Sequence, residues 1–177
     1  MNKDSRYSDV KEMDVAIVKA LKTTSRSGGC EWCNLSEEDK RYLLYEDEYW
    51  MLFLADKQDY VGRSILVSKR HCGTLSELNE TEWMDLYKLI RRIEECARLT
   101  LGADVCNWSC LLNNFFKEEN PNPHLHIHCR PRFRNTVTIG SSTYADAEFG
   151  HHYAPEKETA VTSEEMTELF QKMKEVF

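Results

Sequence analysis

Apolar positions recur along the chain with two periods, and the switches between them outline the elements. Val10, Met13, Ile17 and Leu21 fall at helical spacing with Ala16 and Ala20 beside them, which predicts an amphipathic helix over about residues 8–23 before the loop 23–29. Three short runs, 41–46, 50–55 and 64–69, read as strands of an antiparallel meander, with Asp47-Glu48 at the first turn and residues 56–62 at the second. Over residues 81–101, Trp83, Leu86, Ile90, Ile93 and Ala97 mark one face of a long helix. Asn79 with Glu82 can cap it and Gly102 can close it. Residues 105–112 read as a buried strand and 113–123 as a polar, turn-rich segment. A last helix follows Thr162, which can form a capping box with Glu165, and carries Met166, Leu169, Phe170, Met173 and Phe177 on one side.

Between these lies the most informative segment. Residues 124–130 alternate with strand period, so that Leu125, Ile127 and Cys129 take one face while His124, His126 and His128 take the other, neighbours about 7 Å apart. A solvated strand face is the plain alternative, but three histidines in strict alternation favour a site offering a ligand, a nucleophile or a base side by side. The order of strands, helix, strands, helix is that of an α+β protein. With no internal repeat and no low-complexity linker, residues 1–177 are expected to form one domain.

Charge narrows the function classes. Lys and Arg number 23 against 30 Asp and Glu, a net charge of -7, which lacks the footprint of a nucleic-acid-coating protein. No apolar run approaches the 18 to 20 residues of a membrane span and the first residues show no secretory signal, so a cytoplasmic protein is expected. Seven cysteines, two of them in Cys30-Glu31-Trp32-Cys33, suit metal ligation in a reducing compartment better than a disulfide framework. Reduced bystanders are the alternative for this pair, and a redox protein built on it a weaker third reading of the chain.

The run His124-Leu125-His126-Ile127-His128-Cys129 resembles the signature of the histidine-triad (HIT) family. The resemblance extends over about residues 29–134, through Cys30-x-x-Cys33, Val67-Ser68-Lys69-Arg70-His71, Leu112-Asn113-Asn114 and Arg130-Pro131-Arg132-Phe133. Residues 107–113 and Phe149-Gly150-His151-His152-Tyr153 are similar to a bacterial branch. It implies a HIT-type antiparallel sheet under a long helix, with an N-terminal helix at 8–23 and a C-terminal extension at 135–177. It also implies a homodimer that hydrolyses or transfers nucleotides at the α-phosphate, with a dinucleoside polyphosphate or nucleoside phosphoramidate as substrate.

By the same resemblance, Cys30, Cys33, His71 and His124 hold a structural Zn2+, a donor set that tetrahedral zinc accepts. Cys72, next to His71, is an alternative ligand. His126 is the implied nucleophile, forming a nucleotidyl-histidine, and His128 donates to the phosphate oxygens. Asn113 or Asn114 holds the phosphate side, and Arg130, Arg132 or Arg134 meets a polyphosphate, with a solvated role the alternative for Arg134. One departure stands out. Where many members carry Gly-Gln-Ser or Gly-Gln-Thr, this chain has Glu119-Asn120-Pro121, in which Asn120 retains an amide but Pro121 has neither hydroxyl nor N–H. A noncatalytic nucleotide sensor with the same fold is the contrasting expectation. His151 and His152 read as a tail loop over the site rather than as metal ligands.

Overall fold

The structure, a computed structural model, describes residues 29–154 and 157–177; the helix expected over 8–23 lies outside them. Five strands, β1 (Leu43–Glu46), β2 (Trp50–Leu54), β3 (Ser64–Ser68), β4 (Val105–Ser109) and β5 (His126–Arg132), form one antiparallel sheet in the order β1-β2-β3-β5-β4. The long helix α1 (Glu80–Leu101) crosses between β3 and β4. A hairpin follows β5, comprising β6 (Val137–Ile139) and β7 (Ser142–Tyr144), and helix α2 (Ser163–Val176) ends the chain.

Register explains why β2 is buried on both faces. Trp50, Leu52 and Leu54 join Leu66, Leu125, Ile127 and Cys129 in the main core, where Leu86, Leu89, Ile93, Cys96 and Leu101 of α1 cover them. Met51 and Phe53 point the other way and meet Val67, Ile65, Leu43, Trp32 and Leu35 in a smaller cluster. The pairing of Val67 with His126 and of Ile65 with His128 places the histidines on that second face, away from α1. The alternation read from the sequence therefore holds, with a strand that begins at His126 and leaves His124 just before it.

Both caps form as expected. Asn79 accepts from the Glu82 backbone N–H while the Glu82 carboxylate accepts from that of Asn79, Gly102 closes α1 in the left-handed conformation, and Thr162 with Glu165 repeats the box on α2. The buried stripe of α1 differs from the expected one. Leu89 and Cys96 lie on it and Trp83 is 44% exposed, because the stripe facing the sheet runs through Leu86, Leu89, Ile93 and Cys96 at spacings of three and four. Strand β4 stops at Ser109 and is only partly buried, since it is an edge of the sheet. The β6–β7 hairpin was not expected. Its strands are three residues long, and Gly140, at φ 56°, takes the first position of a two-residue turn.

The loop between β2 and β3 is tied by Gln58, whose Nε2 donates to the Ala55 and Arg63 carbonyls at 2.6 and 2.9 Å while its Oε1 accepts from the Gly62 N–H at 2.7 Å. Gly62 has φ 84°, and a Cβ there would collide with Leu101 and crowd Pro131. This loop delivers Asp59 and Arg63 to the histidine face.

Candidate active site and metal centre

Cys30 caps and Cys33 ends a single 3-10 turn, Glu31–Cys33, which brings the two sulfurs to the same group of donors. His71 leaves the end of β3 and His124 precedes β5, so four donors from three separate segments converge within 4.8 Å of one another. His124 Nδ1 stands 3.2 Å from Cys30 Sγ, 3.5 Å from Cys33 Sγ and 3.2 Å from His71 Nδ1, and Cys33 Sγ stands 3.3 Å from His71 Nδ1. The edges of a tetrahedron built on the usual zinc bond lengths to nitrogen and sulfur are about 3.3–3.8 Å, so the set fits a metal ion. Its protonation fits as well. His124 Nε2 donates to the Ser68 carbonyl at 2.6 Å, which leaves the Nδ1 lone pair for a ligand. Burial, then the adjacent Cys30, pushes the Cys33 thiol up to about 11, so a thiolate at Cys33 requires a cation beside it. Cys72 is outside the set, with its Sγ at 3.5 Å from Ser68 Oγ.

The same turn carries Trp32, whose ring stacks on His126 at 6.1 Å between centroids and 29° between planes. Phe115, from the short 3-10 helix Asn113–Lys117, meets His126 edge-on at 5.9 Å. Between these aromatics His126 Nδ1 donates to the His124 carbonyl at 2.9 Å. Its Nε2 is then the unprotonated nitrogen of a neutral imidazole. Burial holds His126 below the usual histidine range, and the Arg63 charge adds to the effect against the opposing bond to His124. His128 lies 5.0 Å from His126, ring edge to ring face. Burial first, then Arg63, His126 and Arg130, press its pKa down to about 3.

The remaining expected residues divide by place. Asn113 and Asn114 are exposed on the 3-10 helix that brings Phe115 to His126, and Asn120 is exposed on the loop before the triad. Arg130, expected as a fork for phosphate, is buried: its Nε donates to Asp59 at 2.8 Å, its Nη1 to Ser109 Oγ at 3.3 Å, and its guanidinium lies over Tyr153 at 4.5 Å. It shares the histidine face of β5, where the Asp59 carboxylate offsets its buried charge. Arg132 is likewise buried against Asp146, and Arg134 lies over Phe149 at 5.7 Å. His151 and His152 are exposed, in a tail that rests on Arg132 and, through Tyr153, on Arg130. Sequence reading missed Trp32, Asp59, Arg63 and Phe115. They reach the site from turns and loops outside the strands, and only the position of Arg63 just before a strand that pairs with the triad hinted at one of them.

The sequence profile of the HIT domain matches residues 36–135, so the chain belongs to the HIT domain family. Solved structures share its fold. A hypothetical histidine triad nucleotide-binding protein from Sulfolobus tokodaii is 20% identical and superposes with a TM-score of 0.59 over 83% of this chain and 91% of its own. A zinc-bound histidine triad family protein from Mycobacterium smegmatis gives 19% identity and a TM-score of 0.56 over 83% and 94%. A uridylyltransferase, 19% identical with a TM-score of 0.58, is covered over 94% of this chain but 49% of its own length. A comparison with curated protein sequences found no match. Among the described residues no helix is long and apolar enough to cross a membrane.

Proposed function

We propose that this protein is a nucleotide hydrolase or nucleotidyl transferase that acts at an α-phosphate through a covalent nucleotidyl-His126. The observation that carries the reading is the pinned imidazole: with Nδ1 bonded to the His124 carbonyl, His126 offers Nε2 to phosphorus, and His128 stands beside it. Nε2 bonds to the α-phosphorus as the bond to the leaving oxygen or nitrogen breaks, the electron pair departing with that group. Water or an acceptor hydroxyl then attacks phosphorus, loses its proton, and returns the pair to Nε2. His128 and backbone N–H groups of β5 steady the phosphate oxygens, with Asn113, Asn114, Asn120 and Arg130 on the substrate side, Arg130 from its pair with Asp59.

The ion held by Cys30, Cys33, His71 and His124 is read as zinc, for which two thiolates and two imidazoles are a suitable set and which locks the entry to β5. The protein is read as cytoplasmic, in keeping with seven reduced cysteines, and as a homodimer, in keeping with Trp83, Met84 and Tyr87 exposed together on the outer side of α1. The exposed segment Glu119-Asn120-Pro121, lacking a hydroxyl, favours a second reading as a nucleotide-binding protein without turnover. A panel of dinucleoside polyphosphates and nucleoside phosphoramidates separates the two: nucleotide trapped on the protein after an alkaline quench supports the enzyme, and binding of mononucleotide without turnover of any substrate overturns it.

A further inference from the structure

Arg63 stands against the triad with part of its hydrogen-bonding capacity unused. Its Nη1 donates to the Lys57 carbonyl at 3.2 Å and lies 3.6 Å from Asp59 Oδ2, and its Nη2 reaches His128 Nδ1 at 3.4 Å. Its side chain is 15% exposed, yet Nε is buried and has no partner among the described residues. Two consequences follow. A guanidinium only donates, so His128 Nδ1 accepts and Nε2 carries the proton, which makes the free nitrogen of His128 a donor. Charge is also unbalanced: the Asp59 carboxylate serves Arg130 as well, at 2.8 Å, and Arg130 is itself close enough to repel Arg63. Two guanidiniums therefore face one carboxylate beside the histidines. Burial weakens the hold of Arg63 on its own proton, so a second anion has a place here.

We propose that Arg63 is the anion-binding residue of this site and fits it to a substrate whose leaving group is itself a phosphate-bearing anion. The inference rests on the nucleotidyl-transfer reading and narrows it. When the P–O bond breaks, the bridging oxygen keeps the electron pair and departs as a phosphate anion, which needs a cation and no proton. An amine leaving a phosphoramidate needs a proton, and among the described residues the ring and hydrogen-bond partners that Trp32, Phe115 and Arg63 provide to His126 and His128 carry no carboxylic acid. A departing phosphate is met by the Arg63 guanidinium and by His128 in the donor form that Arg63 imposes.

The test uses the full-length protein, Arg63→Gln and Arg63→Lys. Calorimetric titration with inorganic pyrophosphate, a mimic of the leaving group, is expected to show binding that weakens about tenfold or more in Arg63→Gln and less in Arg63→Lys. In turnover, the kcat/KM ratio of a diadenosine polyphosphate over an adenosine phosphoramidate is expected to fall about tenfold or more in Arg63→Gln. A folded Arg63→Gln that binds pyrophosphate like the wild type overturns the anion site. Weakened binding with an unchanged ratio overturns the leaving-group assignment. A wild type that turns over neither substrate but binds pyrophosphate through Arg63 overturns the enzymatic reading and leaves the anion site standing. Should Arg63→Gln fail to fold, Arg63→Lys decides: it loses the planar fork and the reach to His128, so unchanged pyrophosphate affinity overturns the proposal.

Discussion

The carbonyl of His124, whose ring belongs to the metal centre, accepts the Nδ1 proton of His126 at 2.9 Å. One residue thus joins two functions. Its ring is fixed at Nε2 by the Ser68 carbonyl, and its peptide oxygen sets the tautomer of the neighbouring imidazole two residues on. A metal held at Cys30, Cys33, His71 and His124 would therefore fix the peptide that orients His126 without touching its ring.

His126→Ala is expected to lower turnover of nucleotide substrates about a thousandfold or more while mononucleotide binding largely survives, because the covalent route needs that nitrogen. Metal content and Tm should stay close to wild type, since His126 lies outside the donor set and on the face opposite the main core. Steady-state kinetics with metal analysis and melting on the same sample check this; full activity in the variant sinks the assignment of the nucleophile.

Purified protein is expected to hold one zinc per chain, and Cys30→Ser to lose it. Ligation that exists only in the folded state is folding free energy, so the loss should lower Tm by about 10 °C. Metal analysis and calorimetry read both effects, and strong chelator on the wild type should reproduce the shift. Metal-free wild type prepared without chelator contradicts the assignment.

The low pKa of His128 makes a pH dependence. In the unfolded chain histidine protonates near 6.5, whereas the folded site keeps His128 neutral until about pH 3. Between those values the unfolded state binds the extra proton, so stability is full above about 6.5 and falls as the pH drops, by at most about 1.4 kcal/mol per pH unit from this group. His128→Gln is expected to show a shallower loss of stability from pH 6.5 to 4.5 in urea titrations; identical slopes in both proteins would refute the linkage.

Gly62→Ala is expected to destabilise by about 2–4 kcal/mol, combining a left-handed backbone with a methyl forced against Leu101 and Pro131. Denaturant melts measure it. Because Gly62 adjoins Arg63 in the loop that Gln58 ties together, activity should fall along with stability. A variant as stable as wild type contradicts the crowding.

Sedimentation at micromolar concentration is expected to show a dimer, and Trp83→Lys to shift it toward monomer, since Trp83 is 44% exposed on α1 with Tyr87 one turn further on at 54%. A wild-type monomer refutes this.

By itself the sequence determined the α+β order, both capping boxes, the meander, the facing of Leu125, Ile127 and Cys129 against the core, and the Cys30-x-x-Cys33 pair as candidate metal donors, while the resemblance added His71 and His124 to that set. These features depend on local spacing, on side chains that bond three residues along, and on residue types too particular to serve other chemistry. Tertiary structure decided the rest. Which face of α1 is buried depends on where the sheet lies, so Trp83 could be placed outside only once the sheet was in view. Whether an arginine after the triad is free or paired depends on Asp59 from a loop 71 residues earlier, which buries Arg130 and leaves Arg63 facing His128. Trp32 and Phe115 reach His126 from opposite sides of the chain order for the same reason. Such contacts come from turns and loops that the folded sheet brings against β5, and no local periodicity records them.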